Sequence, residues 1–167
     1  MIMIVVEDPN DREQISHFLR ERGYEVGVPP HRQDVLAMVR DTPPQVIILD
    51  LYVADPRGVE VLKQVREQGY TGKVIAIAGE SMRSVLPEVA HLGIDQVIGG
   101  PGGRGESLSL DQVEAVILTL LHQQISERAY ALYEQRGREE GRAWEDWFEA
   151  KRQILTPHSG STEALAQ

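Results

Sequence analysis

The chain has 167 residues, 41% of them hydrophobic and 26% charged, with a formal net charge of −9 and no cysteine. That is room for one ordinary domain plus an appendage, and it excludes disulfides, thiolate metal sites and cysteine nucleophiles. The acidic balance argues against a general nucleic-acid binder, since phosphate contacts need basic surface, and no apolar run approaches the roughly 20 residues that span a bilayer.

Residues 2–6 read as a buried strand that meets acid at Glu7 and Asp8. With no basic leader this is a strand and not a signal peptide, so a cytoplasmic location is expected. After Pro9, Asn10 or Asp11 can cap a helix carrying Ile15, Phe18 and Leu19 and stopped by Gly23. Tyr24 to Val28 is a short second strand, and a helix with Val35, Leu36 and Val39 must end before Pro43. Gln45 to Tyr52 follows, an unbroken aliphatic run that ends in the carboxylate of Asp50. Lacking polar alternation, it reads as a central parallel strand covered on both faces. Asp55 as cap and Pro56 in the first turn open a third helix with Val59, Leu62 and Val65. Lys73 to Ala78 is a fourth strand, Ser81 opens a fourth helix with Val85, Leu86 and Val89, and Asp95 to Ile98 is a fifth strand.

Strands and helices alternating at this spacing imply right-handed crossovers. The fold expected is α/β, a flavodoxin-like doubly wound five-stranded parallel sheet in the order 2-1-3-4-5, with a C-terminal helical hairpin. Residues 99–108 hold five glycines. They match no phosphate-loop spacing, and a flexible connection is the reading preferred. Ser109 and Gln112 mark a capped helix start. The apolar stripe from Val113 to Tyr133 is uninterrupted, so one rod about 40 Å long is expected, its first half on the sheet and its second half projecting. A turn at Gly137 to Gly141 leads to a last helix, and Tyr130, Tyr133, Trp144 and Trp147 are expected to pack between the two. The domain limits drawn are 1–122, 123–155 for the hairpin, and 156–167 as a polar disordered tail.

In the 2-1-3-4-5 order, Glu7 and Asp8 face Asp50 across adjacent strand ends. Converging carboxylates resist ionising together unless a cation neutralises them, and hard oxygen ligands select Mg²⁺. A carboxylate beside bound Mg²⁺ can accept a phosphoryl group. The plainer alternative is that these acids cap helix starts.

Val5 to Glu13, Ile47 to Leu51 and Gly58 to Leu62 resemble bacterial response-regulator receiver domains, over roughly residues 1–122. The resemblance implies Asp50 as phosphoacceptor, Asp8 as a Mg²⁺ ligand supported by Glu7, and the Tyr52 backbone carbonyl as a further ligand. It also implies a sensor histidine kinase or phosphotransfer protein as partner, and no enzymatic activity. Three positions depart from the family pattern. Ala78 stands where a Ser or Thr is usual, Gly100 where a Lys is usual, and Val97 at the aromatic switch position. Arg104 could substitute for the lysine. Two readings therefore stand together: a phosphorylated regulator with degenerate switching, and a pseudo-receiver that acts through binding alone. The hairpin is similar to a short bacterial helical domain of unknown function, on Arg128 to Tyr130, Tyr133, Arg136 to Arg138, Gly141, Glu145 to Trp147 and Ala150. Protein docking or self-association is its expected use. The five histidines are scattered without ligand spacing.

Overall fold

The computed structural model describes residues 1–51, 57–79, 86–99 and 108–155. In chain order these form β1 (Ile2–Val5), α1 (Pro9–Glu21), β2 (Val26–Gly27), α2 (Arg32–Asp41), β3 (Val46–Asp50), α3 (Arg57–Glu67), β4 (Lys73–Ala78), α4 (Leu86–Val89) with a 3₁₀ turn (Ala90–Leu92), β5 (Gln96–Gly99), α5 (Leu110–Gln135) and α6 (Ala143–Leu155). The five strands run in the order β2-β1-β3-β4-β5, every pair parallel. The doubly wound sheet expected from the strand–helix alternation is therefore the one formed.

Successive residues of a strand point to opposite faces, and the two cores divide on that rule. Ile2, Ile4, Ile48, Ile75, Ile77 and Ile98 meet Ile15 and Leu19 of α1 and the buried row of α5. Met3, Val5, Ile47, Leu49, Val74 and Ala76 meet Val35 and Val39 of α2 and Leu62 and Val65 of α3. The run at 46–49 is apolar throughout because both sides of β3 are covered.

One element is shorter than the sequence predicts. β2 keeps only two residues of the expected 24–28. The backbone N–H of Glu25 donates instead to the Leu155 carbonyl of α6 at 3.3 Å, while Tyr24 is buried in the core. The fourth helix is described over Leu86–Val89 before it tightens into a 3₁₀ turn that ends at Gly93. Ser81 and Val85, the Asp55–Pro56 helix start, the glycine-rich loop at 100–107 with Arg104, and the 156–167 tail lie outside the described residues.

The long rod is observed. α5 is one helix of 26 residues, and the Ser109 hydroxyl accepts from the Gln112 N–H at 3.3 Å. Val113, Ile117, Leu121 and Ile125, spaced four apart, are fully buried. The second half of α5 does not simply project, because α6 folds back onto the sheet domain. Glu114 on α5 accepts from the Tyr24 hydroxyl at 2.8 Å and pairs with Arg22 at 2.8 Å and Lys151 at 4.0 Å. Burial, reinforced by this bond to a carboxylate, holds the Tyr24 phenol well above its ordinary pKa. The reversal between the helices uses Gly137, Arg138 and Gly141 at φ of 85°, 62° and 92°, a left-handed conformation that glycine adopts without steric cost. Arg136 clamps it by a bidentate pair with the buried Asp146 at 2.8 and 2.7 Å.

The aromatic packing expected of the hairpin is corrected in part. Tyr130 and Trp144 do not lie between the helices; they are 58% and 75% exposed. The contact runs through Ile125, Ala129, Leu132, Ala150 and Ile154, with Trp147 against the His122 ring at 5.1 Å. Ala150 is fully buried; its small side chain brings the helices together, and of the expected aromatics Trp147 packs at the contact.

Both tryptophans sit on α6, so their fluorescence reports the hairpin while far-UV circular dichroism reports the whole chain. Ile125 joins the two parts. Ile125→Ala is expected to cost about 2–5 kcal/mol, with both probes shifting together in urea as one cooperative unit requires. Loss of the fluorescence transition alone would show a hairpin that unfolds independently.

Candidate functional site

β1, β3, β4 and β5 all end at one edge of the sheet, and their register fixes what meets there. Val5 pairs with Leu49, Asp50 with Ile77, and Ala78 with Gly99. Asp50 is thus level with Val6 and Ile77, with Asp8 just beyond on one side and Ala78 on the other. The Leu51 N–H donates to the Ile77 carbonyl at 2.9 Å, so β3 stays tied to β4 one residue past Asp50. The Asp50 side chain is only 9% exposed. A carboxylate this buried is tolerated at the sheet's edge, where polar groups and ions reach it, and not in the middle of β3.

Asp8 serves α1 as well as the edge. Its Oδ1 accepts the N–H groups of Asn10 and Asp11 at 2.8 and 3.0 Å, satisfying two of the donors that a helix start leaves open. The acid also suits the positive end of the helix dipole. Burial, and then repulsion from Asp8, raise the Asp11 carboxyl above its ordinary pKa. The capping alternative is therefore real for Asp8, and it leaves Oδ2 outside the cap.

Glu7 takes a different direction. It is exposed and lines a cavity of about 230 Å³ with Arg12, Pro29 and His31, on the β2 side of β1. The Arg12 guanidinium donates to the Val6 carbonyl at 3.2 Å in the same region. Asp8 and Asp50 share an edge on neighbouring strands, but Glu7, Asp8 and Asp50 are not gathered into one cage. Among the described residues no group of three or more His, Asp or Glu side chains is disposed to hold a metal ion. Tyr52, whose carbonyl the resemblance implies as a ligand, lies outside the described residues, as does Gly100. Ala78 is the last residue of β4, 7% exposed, and Val97 on β5 is 41% exposed.

Sequence reading did not single out the contact beneath the acceptor. Gly58, in the first turn of α3, lies so close to β3 that an added Cβ would meet the Asp50 carbonyl oxygen at 2.6 Å and the Leu51 Cα at 3.2 Å. The available signal was a glycine inside a helical pattern, which marks close backbone approach as often as a stop.

A family model described as "Response regulator receiver domain" matches residues 2–108, and one described as "Protein of unknown function (DUF2934)" matches residues 121–156. Among curated proteins, the chain is similar to Response regulator RR06 of Streptococcus pneumoniae, 34% identical over 67 residues, which are 40% of this chain and 31% of that protein. It is also similar to Transcriptional regulatory protein KdpE of Mycobacterium tuberculosis, 27% identical over 65% of this chain and 48% of that one. The chain thus spans half or less of the length of these relatives. Among solved structures, the receiver domain of NtrX from Brucella abortus superposes with a TM-score of 0.62 at 20% identity, covering 73% of this chain and 98% of that one. Chemotaxis protein CheY4 of Vibrio cholerae gives 0.62 at 21% identity over 72% of this chain and 97% of that one. At such identities these two speak for the fold.

The close approach at Gly58 is testable. Gly58→Ala is expected to destabilise by roughly 1–3 kcal/mol through overpacking. Gly99→Ala, with nothing within 4 Å of the added carbon, is expected to stay within about 0.5 kcal/mol. Urea denaturation of both variants measures the contrast, and equal effects would show that α3 does not press on the Asp50 backbone.

Proposed function

The chain belongs to the response regulator receiver domain family, and from that premise we propose that it is a cytoplasmic two-component signalling protein whose phosphoacceptor is Asp50. The observation that carries this reading is the position of Asp50, at the carboxyl end of the central strand and level with the end of β1 that leads into Asp8. The phosphoryl group passes from the imidazole nitrogen of a phosphohistidine, on a sensor kinase or phosphotransfer protein, to a carboxylate oxygen of Asp50. The P–N bond breaks as the P–O bond forms, and the imidazole leaves with the electron pair. No other catalytic activity is proposed. No helix among the described residues is long and apolar enough to cross a membrane.

The donor set at this edge is all oxygen, which fits Mg²⁺, an ion that takes one or two carboxylates and completes its shell with water and phosphoryl oxygens. Asp8 and Asp50 would hold it, with the Tyr52 carbonyl as a further ligand; Glu7, which lines the cavity beside Arg12, would not be a ligand. When bound, it supplies positive charge that offsets the repulsion between carboxylate and phosphoryl group. The chain's own residues do the rest. Asp8 keeps one oxygen on the α1 cap, and Gly58 lets α3 support the Asp50 backbone.

The switch half of the site is proposed to be degenerate. Ala78 offers a methyl group where a hydroxyl would hold a phosphoryl oxygen, Gly100 offers no ammonium, and Val97 no aromatic ring. Losing one preorganised donor typically costs about 10²–10³ in rate, and a conformational change needs a contact that differs between states. Phosphorylation is thus slow and only weakly coupled to shape. The buried Ala78 also favours a second reading, a pseudo-receiver that signals by binding alone. In either case the hairpin is the output surface, docking a protein or a second copy of the chain.

Incubation with Mg²⁺ and a small phosphodonor such as acetyl phosphate, followed by intact-mass measurement, separates the two. The expected result is a single phosphoryl adduct on the wild type and none on Asp50→Ala. No adduct on a folded wild type would leave the binding-only reading. Backbone NMR shifts on β4 and β5 with beryllofluoride are expected to be small, and large ones would refute the degenerate switch.

A further inference from the structure

Three of the four large hydrophobic side chains exposed among the described residues, Tyr130, Trp144 and Phe148, lie on the hairpin. Trp144 and Phe148 belong to a definite geometric feature. On a helix, positions i, i+4, i+7 and i+11 form one stripe, and on α6 that stripe is Trp144, Phe148, Lys151 and Leu155. It is distinct from the face carrying Ala150 and Ile154 that packs on α5. Its C-terminal half is covered: Leu155 is 3% exposed, and the Lys151 ammonium lies 5.4 Å from the Tyr24 ring centroid. Its N-terminal half overhangs the sheet domain. Trp144 is 75% and Phe148 63% exposed, their rings 6.4 Å apart. One half of this stripe is buried on the chain itself, and the other half has no cover among the described residues.

We propose that the cover is a second copy of the chain, the two α6 helices pairing antiparallel with Trp144 of each against Phe148 of the other. This rests on the hairpin's role as output surface and names its partner. The charge pattern selects a second copy. Between Arg138 and Asp146 the approach and first turn of α6 carry four acids to two bases, and its last turns carry Lys151 and Arg152 against Glu149, whose pair with Arg152 a partner's acids would have to share. A twofold axis brings unlike ends together and sets the helix dipoles opposed. The register that places Trp144 on Phe148 also carries Arg152 of each copy to the Glu139–Glu140 turn of the other. Such a patch is self-complementary, which a closed twofold interface demands. An aromatic side chain buries about 150–250 Å² when fully covered, so the two contribute on the order of 200–300 Å² of apolar centre per copy. A standard interface buries about 800 Å² per partner. A smaller apolar centre with a charged rim corresponds to micromolar dimerisation that loosens with salt.

Sedimentation equilibrium of the full chain across the micromolar range tests this. The expected result is a concentration-dependent dimer that Trp144→Glu with Phe148→Glu converts to monomer, with the far-UV circular dichroism spectrum unchanged because both side chains are exposed on the folded chain. Arg152→Glu is expected to weaken the dimer severalfold, and adding Glu140→Arg to that variant to restore it. A wild type that stays monomeric throughout, a dimer indifferent to the aromatic substitutions, or a charge swap that restores nothing would each overturn the proposal. The phosphoryl adduct on Asp50, read by mass on the same variants, is a separate measurement. Its absence would count against the acceptor reading and leave the association result standing.

Discussion

The structure depends on one row of side chains. Val113, Ile117, Leu121 and Ile125 of α5 are fully buried, and they lie in the same core as Ile4, Ile48 and Ile77 of the sheet and Ala150 and Leu155 of α6. A core close-packed like an organic crystal transmits displacement and does not absorb it. A helix that closes the sheet at one end and seats the hairpin at the other therefore makes the two regions one body. Glu114 adds polar stitching to the same join, its carboxylate shared by Tyr24, Arg22 and Lys151. With its side chain 20% exposed, Glu114 stays close enough to water that its charge is not stranded, and removing any one cation leaves other partners in place.

Much of this was legible in the sequence because it depends on period and punctuation. The apolar run at 46–49, the glycines closing the first and third helices, and Ser109 before an uninterrupted stripe each have one good structural solution. Together they dictate the sheet order and the length of α5. Partners were not legible. Periodicity says that a helix has an apolar face and not which surface that face meets, so the hairpin's aromatics read as mutual packing. In the structure Ala150 fills that contact and Trp144 lies outside. β2 illustrates the same limit: the 24–28 stretch has strand composition, but Glu25 gives its N–H to Leu155, a residue 130 positions later.

At the candidate site, the sequence showed which strand ends carry acids and could not show how each acid is used. Asp8 is held by a cap and Glu7 faces the cavity beside Arg12, while Asp50 lies in the edge of the core. These are three environments for three carboxylates within a few residues of one edge. Proximity in topology is thus weaker than coordination, and the described residues bring two strand-end carboxylates to this edge and not a ring of three. Gly58 is a related case: its missing Cβ is what lets α3 touch the Asp50 backbone, a contact that no sequence pattern marks.

Asp50 ends β3, whereas Leu155, the covered end of the α6 stripe, docks at Glu25, just ahead of β2 at the opposite edge of the sheet. Any coupling between them must run the length of an element, and α1 is the one that touches both. Asp8 caps its first turn, and Arg22 at its C-cap reaches Glu114 and so Lys151. A ligand shifts an equilibrium only by its differential interaction with the two states. Drawing the Asp8 carboxylate off its cap changes α1 by at most the worth of that cap, about 0.5–2 kcal/mol, or roughly 2- to 30-fold in an equilibrium constant. Ile15 and Leu19, buried at 1% and 0% exposure, hold the rest of the helix to the sheet and spend part of that on strain. With no hydroxyl at position 78 to add a second differential contact, the proposed chemistry at Asp50 and the proposed association surface would be nearly independent in energy, with α1 setting the ceiling on whatever passes between them.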